Sequence, residues 1–152
     1  LPETPDIDEL WSKIGKSFLN DGMREFQQYP TVPFGWCMYI GMAIAKYWDE
    51  DWELYSQVDD LYVYLRDKID FDHMDDYIRD KVLLLSTTEA ERLQNIVGEC
   101  GSRSYSLYLH LQLAPSSTEA FYAFVAGLRT CYLMGAAMQL KRMGYRMVAM
   151  NG

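Results

Sequence analysis

Residues 34–48 have the sequence FGWCMYIGMAIAKYW, and this stretch decides the fold. Its apolar side chains cover the whole circumference of a helix rather than one stripe, and a helix of this kind lies at the centre of a domain. Its first 12 residues, 34–45, contain no charged side chain. A membrane span needs about 20 consecutive apolar residues. We therefore expect a central, buried helix over about 34–48 and no membrane span here.

A second apolar run, residues 120–138, contains a single charged side chain, Arg129. Ser116 and Glu119 have the spacing of a capping box, in which each side chain binds a free backbone N–H of the first helical turn. Gly144 is a typical residue for a helix stop. We predict a second central helix over about 117–142, and the charge in its middle again argues against a membrane span.

Both central helices have small residues at every fourth position. Residues four apart lie on one face of a helix, and small residues on such a face let two backbones approach closely. We expect the two small-residue stripes to pack on each other inside one subunit. The alternatives are that one stripe forms a homodimer seam or that a ligand lies against it. The stripes consist of Cys37, Gly41 and Ala45 in the first helix and Ala123, Gly127, Cys131 and Gly135 in the second.

Four further helices are predicted from apolar side chains at helical spacing. The first begins after Asp6, a favourable N-cap residue, and continues past the turn signal of residues 20–22 as one bent helix or as two. The other three cover about 52–68, 72–85 and 88–113.

The predicted helix over about 88–113 has two particular features. Thr88 and Glu91 have the capping-box spacing at its start. Gly98 and Gly101 lie inside it, and we expect them to loosen or kink it, since glycine costs about 1 kcal/mol against alanine in a helix.

No stretch has a convincing strand pattern, so the sequence predicts a single all-α domain over residues 1–152. We expect a bundle of about six helices with mostly antiparallel neighbours. Residues 1–5 form an extended lead in this prediction, and residues 145–152 form a tail.

The net charge of −8 is unevenly distributed along the 152 residues. Residues 1–80 hold 18 of the 22 acidic and 7 of the 14 basic residues, whereas residues 81–152 have a net charge of +3. An acidic chain without a basic stripe argues against nucleic-acid binding and against docking on anionic lipid. The two halves can neutralise each other in the fold, or the first half can present an acidic face to a basic partner.

The three cysteines predict neither a disulfide framework nor a zinc site, because their number is odd and no CxxC motif occurs. We expect a reducing, cytoplasmic compartment. Since the sequence begins with Leu1 rather than Met, a removed signal peptide stays an open alternative.

We predict no metal, no cofactor and no catalytic residue. The aspartates around His73 lack the glycine and the bidentate glutamate of a calcium loop. A di-iron site needs two Glu-x-x-His motifs, and the sequence has none, with Asp70-x-x-His73 the nearest match. The segment from Gly98 to Ser104 has the shape of an active-site loop around Cys100, but His110 is nearly three helical turns away. A kinked, closely packed helix is the preferred interpretation.

Four residues are candidates for ligand binding. Arg129 is expected to be buried, where it either pairs with a carboxylate from the first 80 residues or awaits an anionic ligand. Trp48, Trp52 and Tyr55 lie beside acidic residues 49–53, so they form either a core corner or a cage for a cationic ligand.

These patterns favour a non-enzymatic protein-interaction domain that uses an acidic face or an oligomer seam. The partner is then another protein or a second copy of the chain. The alternative is a helical bundle that binds a small, anionic molecule in an aromatic- and Met-lined pocket, with or without catalysis.

Overall fold

Six helices account for most of residues 6–145, the part of the chain that the structure, a computed structural model, describes. Within these residues there is no strand, so the predicted all-α bundle is confirmed. The predicted lead and residues 146–152 of the predicted tail lie outside the described part. In chain order the helices are α1 (Ile7–Gln28), α2 (Val32–Tyr55), α3 (Leu61–Lys68), α4 (Met74–Tyr77), α5 (Thr87–His110) and α6 (Thr118–Arg142).

The two predicted central helices, α2 and α6, touch backbone to backbone. A Cβ atom added to Gly41 would lie 2.0 Å from the carbonyl oxygen of Tyr132, and one added to Gly135 would lie 2.0 Å from that of Met38. Both glycines are buried. The small-residue stripes therefore pack on each other inside one chain, and these two glycines have no surface left for a homodimer seam.

α1 packs against both α2 and α6 and is one continuous helix through residues 20–22. Gly22 has no side chain, and the ring of Phe18 therefore lies against the helix backbone there. Asp6 caps α1 as predicted, accepting a hydrogen bond from the backbone N–H of Glu9 at 3.0 Å. Buried Asp21 then ties α1 to α3, since it accepts hydrogen bonds from the Tyr62 hydroxyl and from Arg66.

The predicted separation of the second and third helices coincides with a break in the helical backbone at Asp51, but the third helix, predicted over about 52–68, is not continuous. α2 continues beyond a kink at Asp51 (φ −164°, ψ 77°) as far as Tyr55, and α3 begins only at Leu61. Asp60 sets that start by accepting hydrogen bonds from the backbone N–H groups of Tyr62 and Val63 at 3.0 and 3.2 Å. Aromatic residues that continued the helical spacing concealed this cap in the sequence.

The predicted helix over about 72–85 is also wrong in form. α4 is a single turn, and the chain continues as a π-helical turn over Ile78–Val82. Leu84 has a positive φ of 55° and ends the segment. Side-chain contacts hold the π turn in place: buried Arg79 pairs with Asp75 and lies over the ring of Tyr39.

α5 differs from its prediction at the start and in the middle. Its capping box is formed by Ser86 and Glu89 instead of the predicted pair two residues later. The expected kink is absent: α5 is unbroken through Gly98 and Gly101. Gly101 serves close packing, because a Cβ atom there would lie 2.9 Å from the carbonyl oxygen of Thr31.

α6 begins one residue later than predicted and ends as predicted. Ser117 rather than Ser116 is its N-cap, accepting a hydrogen bond from the backbone N–H of Ala120 at 3.0 Å. After its last residue, Arg142, the chain reverses at Gly144, whose φ of 89° is the left-handed conformation typical of a helix stop.

We predict that Gly135→Ala lowers the free energy of unfolding by about 3 kcal/mol or more, because the added methyl group would push α6 away from α2. Gly98→Ala is the matched control. Nothing lies within 4 Å of a Cβ atom at Gly98, so this change should stabilise the protein by about 0.5–1 kcal/mol. Urea denaturation of both variants checks this, and equal effects would contradict the central packing.

Candidate functional site

An open groove with a volume of about 490 Å³ lies between the first half of α5 and the end of α6. Both helices supply apolar side chains to it, and Leu85, two residues before the start of α5, supplies another. The apolar lining consists of Leu85, Leu93, Ile96 and Met138. A groove of this size is within the range of about 300–1,000 Å³ that is typical of ligand sites.

The groove has a net positive charge, whereas the whole chain has a net negative charge. Its charged residues are Glu89, Arg92, Lys141 and Arg142, which sum to +2. Arg142 donates to Glu89 at 3.0 Å, and the Ser86 backbone N–H together with Arg142 lowers the pKa of Glu89. Arg92 and Lys141 are exposed, and their side chains have no ion-pair or hydrogen-bond partner among residues 6–145. The groove therefore offers two unpaired cations beside an apolar floor.

An exposed apolar surface continues from the groove along both helices. On α5, Ile96, Leu107 and Leu111 are 43%, 68% and 56% exposed. Their helical spacing places them on one flank of the α5 axis, with Leu111 directly following the last helical residue. On α6, exposed Thr130 and Met134 lie one turn apart. These five residues are the outer face.

A contact between α5 and α6 shows that the two rows of the outer face lie side by side. The hydroxyl of Ser104 and the thiol of Cys131 are 3.1 Å apart. Leu107 follows Ser104 by three residues, and Thr130 directly precedes Cys131. The outer face is therefore a shallow crevice between antiparallel helices, and the groove is its deeper end.

The crevice is free of charge beyond Arg103, an exposed residue that follows Ile96 by seven positions and therefore lies on the same flank of α5. Residues 104–118 contain no Asp, Glu, Lys or Arg, although 24% of the whole chain is charged. Between Glu119 and Lys141, α6 has a single charged residue, Arg129, and Asp8 neutralises it. Covering this charge-free part of the surface with another molecule therefore costs little desolvation free energy.

α6 is long and apolar enough to cross a membrane by length and composition, as the core helix of a soluble protein also can be. Only 33% of its most apolar 18-residue window is buried in the structure. Its backbone contact with α2 uses one side of the helix. Much of its remaining apolar surface is thus left uncovered by this chain.

Arg129 is paired but not buried, so half of its prediction is wrong. Its Nε and Nη2 atoms donate to the two carboxylate oxygens of Asp8 at 2.8 and 2.7 Å. The two side chains are 46% and 48% exposed. The predicted partner from the first 80 residues is present, in α1. The buried face of α6 is instead formed by residues such as Phe124, Leu128 and Cys131, and Arg129 lies away from it.

The other three ligand candidates lie at the end of α2. Trp52 and Tyr55 line a cavity of about 60 Å³ together with residues of α1, whereas the ring of Trp48 packs on Tyr145 with centroids 5.1 Å apart. Tyr55 is also stacked on Tyr47 at 4.2 Å. A cavity of about 60 Å³ holds water molecules rather than an organic ligand. Ligand binding at these residues and at Arg129 stays a prediction.

The cysteines and histidines do not form a catalytic site among the described residues. Cys37 and Cys131 are buried, and burial raises the pKa of both thiols, so they are protonated and poorly nucleophilic. The segment around Cys100, for which a helix was preferred over an active-site loop, is part of continuous α5. His73 is exposed and pairs with Asp70 at 2.8 Å, which raises the pKa of His73. No group of three metal-ligating side chains occurs within residues 6–145.

Sequence reasoning did not identify the residues of the groove and the outer face. One signal was present: the charge-free run 104–118 in a highly charged chain. Arg92 and Lys141 gave no signal, because they are 49 residues apart and only the antiparallel packing of α5 and α6 brings them to one groove.

The chain matches no known protein family, no curated protein and no solved structure. The geometry of its own residues is therefore the basis of the functional proposal.

We predict that Leu93 and the groove cations differ sharply in their effect on stability. Leu93 is 6% exposed, so Leu93→Ala should cost about 2–5 kcal/mol. The exposed pair Arg92→Glu and Lys141→Glu together should change the free energy of unfolding by less than about 1 kcal/mol. Thermal and urea denaturation check both, and unfolding of the double variant would mean that these cations are structural.

The pairing of Asp8 with Arg129 predicts a small, pH-dependent contribution to stability. The hydrogen bond from Arg129 lowers the pKa of Asp8 below its ordinary value of 3.8. The contribution is therefore present above pH 3.8 and is lost as the pH falls through the lowered pKa of the folded state.

Asp8→Asn should accordingly cost at most about 1 kcal/mol near neutral pH, because both side chains are half exposed. Urea denaturation between about pH 7 and pH 3 should show the wild type and the variant converging at the acid end. A loss of about 3 kcal/mol or more would instead indicate a desolvated ion pair.

Proposed function

We propose that this protein is a non-enzymatic protein-interaction domain whose binding surface is the outer face of α5 and α6. One observation carries the proposal: exposed Ile96, Leu107 and Leu111 of α5 form one row beside exposed Thr130 and Met134 of α6, with Leu107 68% exposed. Contiguous exposed apolar surface on a soluble domain is typical of an interaction site.

The shape of the surface favours a macromolecular partner over a small molecule. The rise of a helix is about 1.5 Å per residue, so the 15 residue-to-residue steps from Ile96 to Leu111 span about 22 Å. Ligand pockets enclose most of a small molecule, whereas this crevice is open along its length. The predicted aromatic and Met linings also do not combine, since Met138 lines the groove and Trp52 lines a separate small cavity.

An acidic surface is a second candidate for protein binding, as the sequence predicted. Most carboxylates of residues 49–80 are exposed, including Asp67, Asp72 and Asp80. Such a surface would attract a basic partner electrostatically. Its exposed apolar residues Leu54 and Ile69 are 57% and 50% exposed, but neither lines the groove, whereas Ile96 of the outer face does.

Site-specific photocrosslinking tests the proposal. We expect benzoylphenylalanine at Leu107 or Thr130 to form a discrete protein adduct in the cells that make the protein. The same group at Asp67, on the acidic surface, should not form that adduct. Light scattering after size-exclusion chromatography then shows whether the adduct partner is a second copy of the chain.

Two matched pairs of substitutions test the apolar character of the contact. Introducing Leu107→Glu with Leu111→Glu should abolish the adduct at Thr130, since each leucine is more than half exposed and the fold is retained. The control pair, Leu54→Glu with Ile69→Glu, changes two residues outside the outer face that are 57% and 50% exposed, and it should leave the adduct at Thr130 unchanged. Adducts at Asp67 alone would contradict the outer face and favour the acidic surface.

A further inference from the structure

We propose that the groove receives an amphipathic α-helix of another protein, with a carboxylate of that helix placed between Arg92 and Lys141. This inference rests on the proposed function and identifies the chemistry of the partner. Its basis is the combination of an apolar floor and two unpaired cations at one end of the outer face.

The charges of the groove favour a negatively charged group on the partner. The four ionisable side chains of the groove sum to +2 in a chain with a net charge of −8. Arg142 is already engaged by Glu89 and Gln139, so the two cations available to a partner are Arg92 and Lys141. Carboxylates are the protein groups that pair with both guanidinium and ammonium ions.

The position of Arg92 in its helix supports a role in binding. Arg92 lies in the second turn of α5, near the positive end of the helix dipole, where a cation gains nothing from that dipole. Lys141 and Arg142 lie in the last turn of α6, where the dipole favours cations. Helix stability therefore explains the cations of α6 but not Arg92.

The architecture of the crevice determines the backbone form of the partner. Both walls are helices whose backbone N–H and C=O groups are already bonded along their length, so a partner strand would find no edge to extend. A crevice between two antiparallel helices accepts a third helix, with apolar anchors at helical spacing. A helix of about 15 residues covers the 22 Å from Ile96 to Leu111.

The apolar floor and the cations lie close enough for one partner segment to meet both. Arg92, Leu93 and Ile96 are within one turn or so of each other on α5, and Lys141 follows Met138 by three residues on α6. The partner helix is therefore expected to have an acidic residue three or four positions from an apolar anchor.

The experiment compares adducts formed by benzoylphenylalanine at Ile96, in the groove, and at Leu107, on the outer face, in the full chain. We expect adducts with the same protein at both positions. Tandem mass spectrometry should map the Ile96 adduct to a helical segment with Asp or Glu beside apolar residues at helical spacing.

A synthetic peptide of the mapped segment then tests the charges by fluorescence anisotropy. Its affinity should fall at least about tenfold for Arg92→Glu with Lys141→Glu. It should stay unchanged for Lys16→Glu with Lys81→Glu, a control that reverses two exposed lysines elsewhere. A peptide with its acidic residues changed to lysine should prefer the groove variant.

Several outcomes would overturn the inference. Adducts at Leu107 without adducts at Ile96 would reject the groove while leaving the proposed function in place. An adduct at Ile96 with a lipid, with a second copy of the chain or with a segment lacking acidic residues would reject the partner, as would equal affinities for both double variants. Absence of adducts at both positions would reject the inference and the proposed function together.

Discussion

The backbone contact between α2 and α6 is the constraint on which the rest of the structure depends. At Gly41 and Gly135 the two helices approach so closely that a methyl group would have to occupy the position of a carbonyl oxygen on the opposite helix. Because α2 is apolar on all sides, the remaining helices must cover it, and α1, α3, α4 and α5 do so. The arrangement of the other helices around α2 therefore depends on this contact between α2 and α6.

The same contact leaves α6 with an uncovered side. α2 takes one face of α6, and α1 reaches it at its edge through Arg129 and Tyr132. α5 contacts it near Cys131 but does not cover its outer row. The helix is thus only partly buried although its composition is that of a core helix. This imbalance between composition and burial distinguishes the outer face from ordinary surface, where single exposed apolar residues are common.

Charge is distributed to match this arrangement. The acidic residues between 49 and 80 lie mainly at exposed positions of the segment from the end of α2 to the π turn, including its loops, and the groove cations lie on α5 and α6. Among the described residues, the ion pair of Asp8 with Arg129 joins the two halves of the chain, whereas Glu89 and Arg142 both belong to the second half. Separated charge of this kind orients an approaching partner and discriminates between partners.

The sequence by itself determined the number and type of the helices, the central position of residues 34–48 and 117–142, and the packing of their small-residue stripes. These features depend on local periodicity and on residue size, which a single chain displays directly. It did not determine where α3 begins, because aromatic residues continue the helical spacing across Asp60 and conceal its role as the N-cap. It also did not reveal the π turn over Ile78–Val82, whose register is held by contacts of Arg79 with Asp75 and Tyr39. Only the tertiary structure decided that Arg129 is exposed and that Arg92 and Lys141 meet in one groove, because both depend on how antiparallel helices are rotated against each other.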